Sequence, residues 1–323
     1  MKKVSGYYRT KKGTGFTYKN ENDRTIVSTA IRNWIDGLAV PPAWRDVWIS
    51  KDKNAYLLAT GYDKKDKKQY IYHPQWEAIR NEKKFSRMVL LSQALPKIRT
   101  RLKKDLAQKS PTKSRVLAAV VCVIDQTGAR VGHDTYTQEN GSYGITTIRK
   151  KHTSGASVKK FDYLGKSSQE RHLSIEDPAV VKVIRECEET AGYELFKYID
   201  EKGDKQSVSA DEVNEYIRTI SGKDITAKDF RTWYGSVVAL QRCNEIGECG
   251  EECYPKHMKT IFAFAAKALG NTPKVAADSY VHVAVIDAHV DNSLKSIHKP
   301  ATTWRTAEEE VLHELLKLYE ETV

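Results

Sequence analysis

Apolar positions along the chain change their period near residue 75. Before it, short β-suitable runs are separated by turn formers. Asn54-Ala-Tyr-Leu-Leu-Ala-Thr-Gly leads through the charged stretch Tyr62-Asp-Lys-Lys-Asp-Lys-Lys to Gln69-Tyr-Ile-Tyr-His, and two such runs around a polar loop predict a hairpin. Pro41-Pro42 stops any helix begun at Ser28–Trp34 and demands an extended connection. Beyond residue 75, Phe85, Met88, Leu91 and Leu95 recur three and four apart, which fits one helix face; Pro96 and the basic run Lys97–Lys109 follow. Val116–Ile124 reads as one side of a buried helix.

A β-rich insert is predicted over Thr135–Ser174, with strands at Ile145-Thr-Thr-Ile and Val158–Leu164 and turns at Gly155 and Gly165. The chain is then helical again. Asp177-Pro178 and Thr272-Pro273 each set a capping residue before a first-turn proline, and Ser209 with Glu212 and Thr306 with Glu309 fit capping boxes. Val311, Leu312, Leu315, Leu318 and Tyr319 form an apolar stripe on the last helix. The expected fold class is α+β: a small β-rich domain over residues 1–78 and a mainly α-helical one over 79–323, carrying a β-hairpin, with the linker near 75–82.

Composition narrows the partner. A net charge of +11 points to a polyanion, although charge alone leaves a merely basic protein equally open. No apolar run approaches the roughly 18 residues of a membrane span, and Met1-Lys-Lys-Val-Ser-Gly lacks a secretory apolar region. No membrane partner is therefore expected. Five unevenly placed cysteines suggest reduced thiols inside a cell. Cys249, Cys253 and His257 would share a helix face, with Cys243 nearby, but zinc sites use tighter pairs such as C-x2-C. The set reads as ordinary thiols, and no metal is expected.

Common enzyme signatures fail. Leu164-Gly-Lys-Ser resembles the end of a P-loop, but Lys160 stands where the first glycine belongs. There is no G-x-S-x-G elbow and no acidic cluster suited to two-metal phosphodiester chemistry. A nucleic-acid enzyme of this sequence would exchange phosphodiesters without nucleotide or metal cofactors. That chemistry needs a nucleophile, cationic donors for the non-bridging oxygens and an acid for the leaving 5′-oxygen. Arginine suits the donor role because its fork binds phosphate at two points. Tyrosine suits the nucleophile because its phenolate departs readily on resealing, provided that positive charge lowers its pKa from about 10.

Ordered blocks then carry a resemblance. Val40-Pro-Pro-Ala-Trp-Arg-Asp-Val-Trp-Ile, Ala59-Thr-Gly-Tyr-Asp and Lys68-Gln-Tyr-Ile-Tyr-His-Pro precede Ala129-Arg-Val-Gly-His-Asp-x-Tyr and Gly144-Ile-Thr-Thr-Ile-Arg-Lys-Lys-His. Asp162-Tyr-Leu-Gly-Lys, Lys228-Asp-Phe-Arg-Thr-Trp, Leu269-Gly-Asn-Thr-Pro and Asp278-Ser-Tyr-Val-His complete the series. In this order they resemble type IB DNA topoisomerases, the small bacterial group most closely and the poxviral enzymes more distantly. The resemblance implies Tyr280 as nucleophile, Arg130 and Arg231 on the scissile phosphate, and Lys166 as proton donor to the 5′-oxygen. Asn271 stands where poxviral and nuclear enzymes have histidine; its amide can still donate a hydrogen bond but carries no proton to titrate. Asp278 stands where a basic residue is expected, and a carboxylate there opposes phenolate formation unless it points away. Gln69, Tyr70 and Tyr72 match DNA contacts of the N-terminal domain, the two tyrosines sharing a strand face. A tyrosine that packs on the domain core is the competing reading. Lys64, Lys65, Lys67 and Lys68, the last also a candidate DNA contact, would lie on the adjoining turn, and a solvated turn explains them equally well. Tyr136, Arg149 and Lys150 are phosphate-contact candidates.

The resemblance further implies a monomer closing as a C-clamp on duplex DNA. It would relax both supercoil signs without ATP, and work in the cytoplasm on DNA, or in a virion or host cell if viral. A tyrosine site-specific recombinase is the nearest rival. Recombinases, however, carry a histidine three before the second arginine, where this chain has Lys228, and lack the N-terminal blocks. A non-catalytic DNA-binding protein would have lost the tyrosine or an arginine, and neither is missing.

Overall fold

A computed structural model describes residues 4–109, 112–133, 137, 141–248 and 253–322, with side chains left out at 75–85 and 322. The chain divides into two compact units, residues 1–83 and 84–323.

In the first unit, β1 (Tyr7–Lys12), β2 (Gly15–Asn20), α1 (Thr29–Gly37), β3 (Arg45–Ile49), β4 (Leu57–Tyr62) and β5 (Lys68–Tyr72) follow in order. The strands form one antiparallel sheet ordered β2-β1-β3-β4-β5, so β5 is an edge. The hairpin predicted around residues 62–68 is the β4–β5 pair. Alternation turns Val47, Ile49 and Ala59 inward, where Ile35 of α1 closes a small core.

Helix α2 (Pro74–Leu106) runs through Pro96. Proline removes one backbone donor, whereas Met88, Leu91, Leu95, Ile98 and Leu102 continue the buried stripe on both sides of it. α3 (Lys113–Thr127) is buried around its circumference over Arg115–Ile124, not on one side only. A short β6 (Thr153–Ser154) pairs with β7 (Lys159–Leu164), which pairs with β8 (Glu170–Ile175). The expected strand at Ile145-Thr-Thr-Ile is instead a buried turn. Ile145 and Ile148 fill the core, while the amides of Ile145 and Thr146 donate to the carbonyls of Arg130 and Val131 at 2.9 and 2.7 Å. An apolar plug and a buried strand have the same composition, and periodicity cannot separate them over four residues.

The rest is largely helical: α4 (Pro178–Glu189), the small hairpin β9 (Lys197–Ile199) and β10 (Lys205–Ser207), then α5 (Ala210–Ser221) and α6 (Ala227–Ile246). α7 (Tyr254–Leu269), α8 (Pro273–Ser279), α9 (Val283–Val290) and α10 (Ala307–Thr322) complete it. Each cap read from the sequence forms: Asp177 and Thr272 accept from first-turn amides, and the Ser209/Glu212 and Thr306/Glu309 boxes close reciprocally. On α10, Leu312, Leu315 and Leu316 are buried, whereas Leu318 faces outward. α4, α5 and α6 all pack on α3, the centre of the second unit.

Candidate active site

Three segments far apart in sequence meet around helix α6. α3 ends at Gly128, whose left-handed φ of 60° admits no ordinary residue without strain and whose missing Cβ leaves room for the Tyr234 ring. Arg130 follows that turn by two residues, and the Gly128 carbonyl is left to accept a side-chain donor. Arg231, 3% exposed on α6, donates to this carbonyl through Nη1 and to the Leu269 carbonyl through Nη2 at 2.5 Å. Its buried Nε has no hydrogen-bond partner among the described residues.

The C-terminal end of α7 brings the next group. Gly270, at φ 61°, reverses the chain, and the Asn271 amide caps the Ala266 carbonyl at 2.9 Å. Asn271 Oδ1 accepts from Arg130 Nη2 at 2.5 Å, and its buried Nδ2 has no partner among the described residues. Thr272 and Pro273 then start α8, and Tyr280 closes it with its amide on the Ala276 carbonyl. Gly235, one turn after Arg231, lets this segment approach: a Cβ there would lie 2.7 Å from the Tyr280 carbonyl oxygen. Ser236 Oγ donates to that carbonyl at 3.2 Å and accepts from the His282 amide at 2.9 Å. The Arg231 guanidinium carbon sits 4.9 Å from the centre of the Tyr280 ring.

The electrostatics follow from this crowding. Burial alone would raise the Tyr280 phenol, but Arg231 first, then Arg130 and Lys228, outweigh it and hold the phenol below its ordinary value. Arg231 is lowered to about 10, by burial and then by repulsion from Arg130. Arg130 is lowered mainly by burial, with Arg171 adding to the repulsion. Neither Arg130 nor Arg231 meets a carboxylate among the described residues; their partners are carbonyls, an amide and the Tyr280 hydroxyl. Buried positive charge without a counter-ion, beside two unpartnered N–H groups, makes a receptor for an oxyanion.

Sequence reasoning missed Arg171. It lies 6% exposed on β8, with its Nη2 donating to the Ala268 carbonyl at 2.9 Å. The available signal was alternation, which puts Arg171 on the inward face with Leu173 and Ile175.

The other anticipated residues fall as follows. Lys166 opens the turn between β7 and β8, exposed and without a hydrogen bond or ion pair to any described residue. The Leu164-Gly-Lys-Ser string therefore sits at a hairpin tip, on a single 3₁₀ turn, not at the start of an α-helix. Asp278 points away: its exposed carboxylate pairs with Lys274 one turn back on α8, at 3.7 Å. Arg149 is exposed, its guanidinium carbon 5.8 Å from the Tyr143 ring centre, whereas Lys150 Nζ is committed to the Thr190 carbonyl. Tyr136 lies outside the described residues. In the first unit, Tyr70 and Tyr72 stack on one face of β5 with ring centres 6.0 Å apart, and neither joins the core. Lys68 Nζ reaches to 5.9 Å from the Tyr70 ring centre. Gln69 donates to Asp63 at 2.8 Å, so its side chain braces the turn bearing Lys64, Lys65 and Lys67. His257 Nδ1 faces His289 Nε2 at 3.0 Å. Cys249 lies outside the described residues, among which no three potential ligands converge on a metal position.

The family described as eukaryotic DNA topoisomerase I, catalytic core, matches residues 73–311, and the bacterial DNA topoisomerase IB N-terminal domain matches residues 15–63. DNA topoisomerase 1B of Acanthamoeba polyphaga mimivirus is 30% identical over 301 residues, covering 90% of this chain and 89% of the relative.

Proposed function

Because the chain belongs to the type IB DNA topoisomerase family, we propose that it relaxes DNA by cutting and resealing one strand through a covalent bond at Tyr280. The observation that carries this reading is the pair of carboxylate-free arginines, Arg231 buried and Arg130 half-buried, around a tyrosine whose phenolate they favour.

In cleavage, the Tyr280 hydroxyl gives its proton to solvent and its oxygen attacks the scissile phosphorus. The P–O5′ bond breaks, leaving a 3′-phosphotyrosine, and the Lys166 ammonium supplies the proton that the departing 5′-oxygen takes up. Arg130, Arg231 and the free amide N–H of Asn271 hold the non-bridging oxygens as charge builds on them. The 5′-end rotates, which releases torsion of either sign, and its hydroxyl then attacks the phosphotyrosine to restore the strand. One phosphoester replaces another at each step, so no ATP is needed, and guanidinium groups supply the charge that a metal would otherwise bring. The exposed Tyr70–Tyr72 edge with Lys68, together with Arg149, supplies contacts to duplex DNA, bound by one copy of the chain. The protein works wherever that DNA lies, in a bacterial cytoplasm or in a virion or infected cell.

Supercoiled plasmid of either sign, incubated in EDTA without ATP, tests the reading. Relaxation by the wild type and none by Tyr280→Phe, with a covalent DNA adduct on the wild type alone, is the expected result. Relaxation by both proteins would remove Tyr280 from the role.

A further inference from the structure

Lys166 presents a problem of placement. A general acid must sit within hydrogen-bond reach of the oxygen it protonates, yet this lysine projects from an exposed turn with no partner of its own among the described residues. Something must fix that turn against the segment bearing Tyr280.

We infer that Arg171 is the positioning residue that does so, a clasp between the Lys166 turn and the Asn271–Tyr280 segment. The inference rests on the proposed proton-donor role of Lys166. In the β7–β8 ladder Arg171 stands opposite Tyr163, three residues before Lys166. Its side chain runs inward between two glycines. A Cβ on Gly165 would lie 3.1 Å from Arg171 Cγ, and one on Gly270 would lie 2.4 Å from Arg171 Nη1. Gly165 immediately precedes Lys166, and Gly270 immediately precedes Asn271. The guanidinium then bonds the Ala268 carbonyl at the C-terminal end of α7, where helix carbonyls present partial negative charge. One side chain thus touches the residue before the proton donor and the turn that leads to the nucleophile.

The glycines support the reading separately. Gly270 has a left-handed φ and would be glycine in any case. Gly165 has φ −89°, a conformation open to every residue, so what its small size serves is the Arg171 stem packed against it. Arg171 also stays close enough to Arg130 to repel it. A neutral side chain of similar length would fill the space without that repulsion. What the arginine supplies is reach: its stem packs on Gly165 while its Nη2 bonds the Ala268 carbonyl, a span that a shorter side chain would not cover.

The test uses a duplex cut at a site first mapped from the wild-type covalent adduct, made with either oxygen or sulfur as the 5′-bridging atom. Breaking P–S releases a thiolate, which needs no proton, so a defect confined to proton donation disappears on the sulfur duplex. Arg171→Ala should slow single-turnover cleavage of the oxygen duplex about 10- to 100-fold and come within about threefold of wild type on sulfur. The double variant Arg171→Ala/Lys166→Ala should be no slower than Lys166→Ala, because removing the acid leaves nothing to position. Gly165→Ala, which keeps Arg171 but wedges the turn, should show the same sulfur rescue and carries the test if Arg171→Ala fails to fold. Equal slowing on both duplexes, an additive double variant, or wild-type cleavage by Arg171→Ala would each overturn the clasp. If Lys166→Ala is itself not rescued by sulfur, the proton-donor reading fails, and the double-variant comparison still decides whether Arg171 acts through Lys166.

Discussion

Two groups of arginines are withdrawn from solvent in the helical unit, and they differ in what they face. Arg99 on α2 makes paired contacts to Asp125 on α3, at 2.8 and 2.9 Å, and to Glu309 on α10, both at 2.7 Å. Glu309 also accepts from Trp233 Nε1 at 2.9 Å. Arg115, 2% exposed, is held by Glu186, and Arg305 by Glu310. Arg130, Arg171 and Arg231 meet an amide, carbonyl oxygens and tyrosines, with no carboxylate among the contacts given above. Burial would lower Arg99, but Asp125 and Glu309 outweigh it and hold the guanidinium above its ordinary value; Arg231 falls to about 10. The same side chain in similar burial thus has opposite electrostatics. Where a carboxylate offsets desolvation the arginine ties helices together, and where none does the charge remains to meet an anion from outside.

Separating the groups experimentally starts with the largest effect. Arg99→Met leaves Asp125 and Glu309 buried without their cation and should destabilise the fold by about 3–5 kcal/mol. Urea unfolding measures that loss, while cleavage per folded molecule at 20–25 °C should stay within about threefold of wild type. Arg231→Gln should do the reverse. Losing one preorganised donor to the transition state slows cleavage about 10²–10³-fold, and removing a repelled, unpaired charge leaves the unfolding midpoint unchanged or higher. A midpoint lowered in Arg231→Gln as far as in Arg99→Met would collapse the distinction.

How much of this division could be read beforehand depends on range. Arg130, Arg231 and Tyr280 were legible because each sits in a short string of its own, and the helix starts because a cap and its amide lie within three residues. The pairing of an arginine is not local: Arg99 finds Asp125 26 positions away and Glu309 210 away. Nothing around Arg99 in sequence marks it as structural or around Arg231 as vacant. Arg171 was hidden for a related reason, since its inward direction depends on the register of β7 against β8. Asp278 seemed to oppose the nucleophile because two positions are close in sequence. On a helix they point in different directions, and its actual neighbour is Lys274.

A pH profile sharpens the comparison at intermediate size. The arginines hold Tyr280 below its ordinary value, so the phenolate forms, and cleavage rises, at lower pH than for an unaided tyrosine. Arg130→Gln removes one of those positive charges. The phenolate loses stabilisation, its pKa rises, and the ascending limb should move to higher pH by about one pH unit. Arg99→Met, which takes away a charge that Asp125 and Glu309 already neutralise, should leave the limb where it is. Single-turnover rates from pH 6 to 10 decide between them, and an unmoved limb in Arg130→Gln would mean that its charge does not reach the nucleophile.

The smallest effect belongs to Asp278. Its carboxylate is two residues from Tyr280 but exposed, directed along the outside of α8 towards Lys274, and screened there by solvent. If what matters at Tyr280 is the set of charges buried with it, Asp278→Asn should change single-turnover cleavage by less than about threefold at 0.15 M salt. The residual change should be an acceleration, because a distant negative charge disfavours the phenolate, and it should shrink further as salt is raised. An acceleration beyond about tenfold that persists at high salt would require the carboxylate to turn inward. The open character of the Arg130–Arg231 site would then depend on Lys274 holding that carboxylate away.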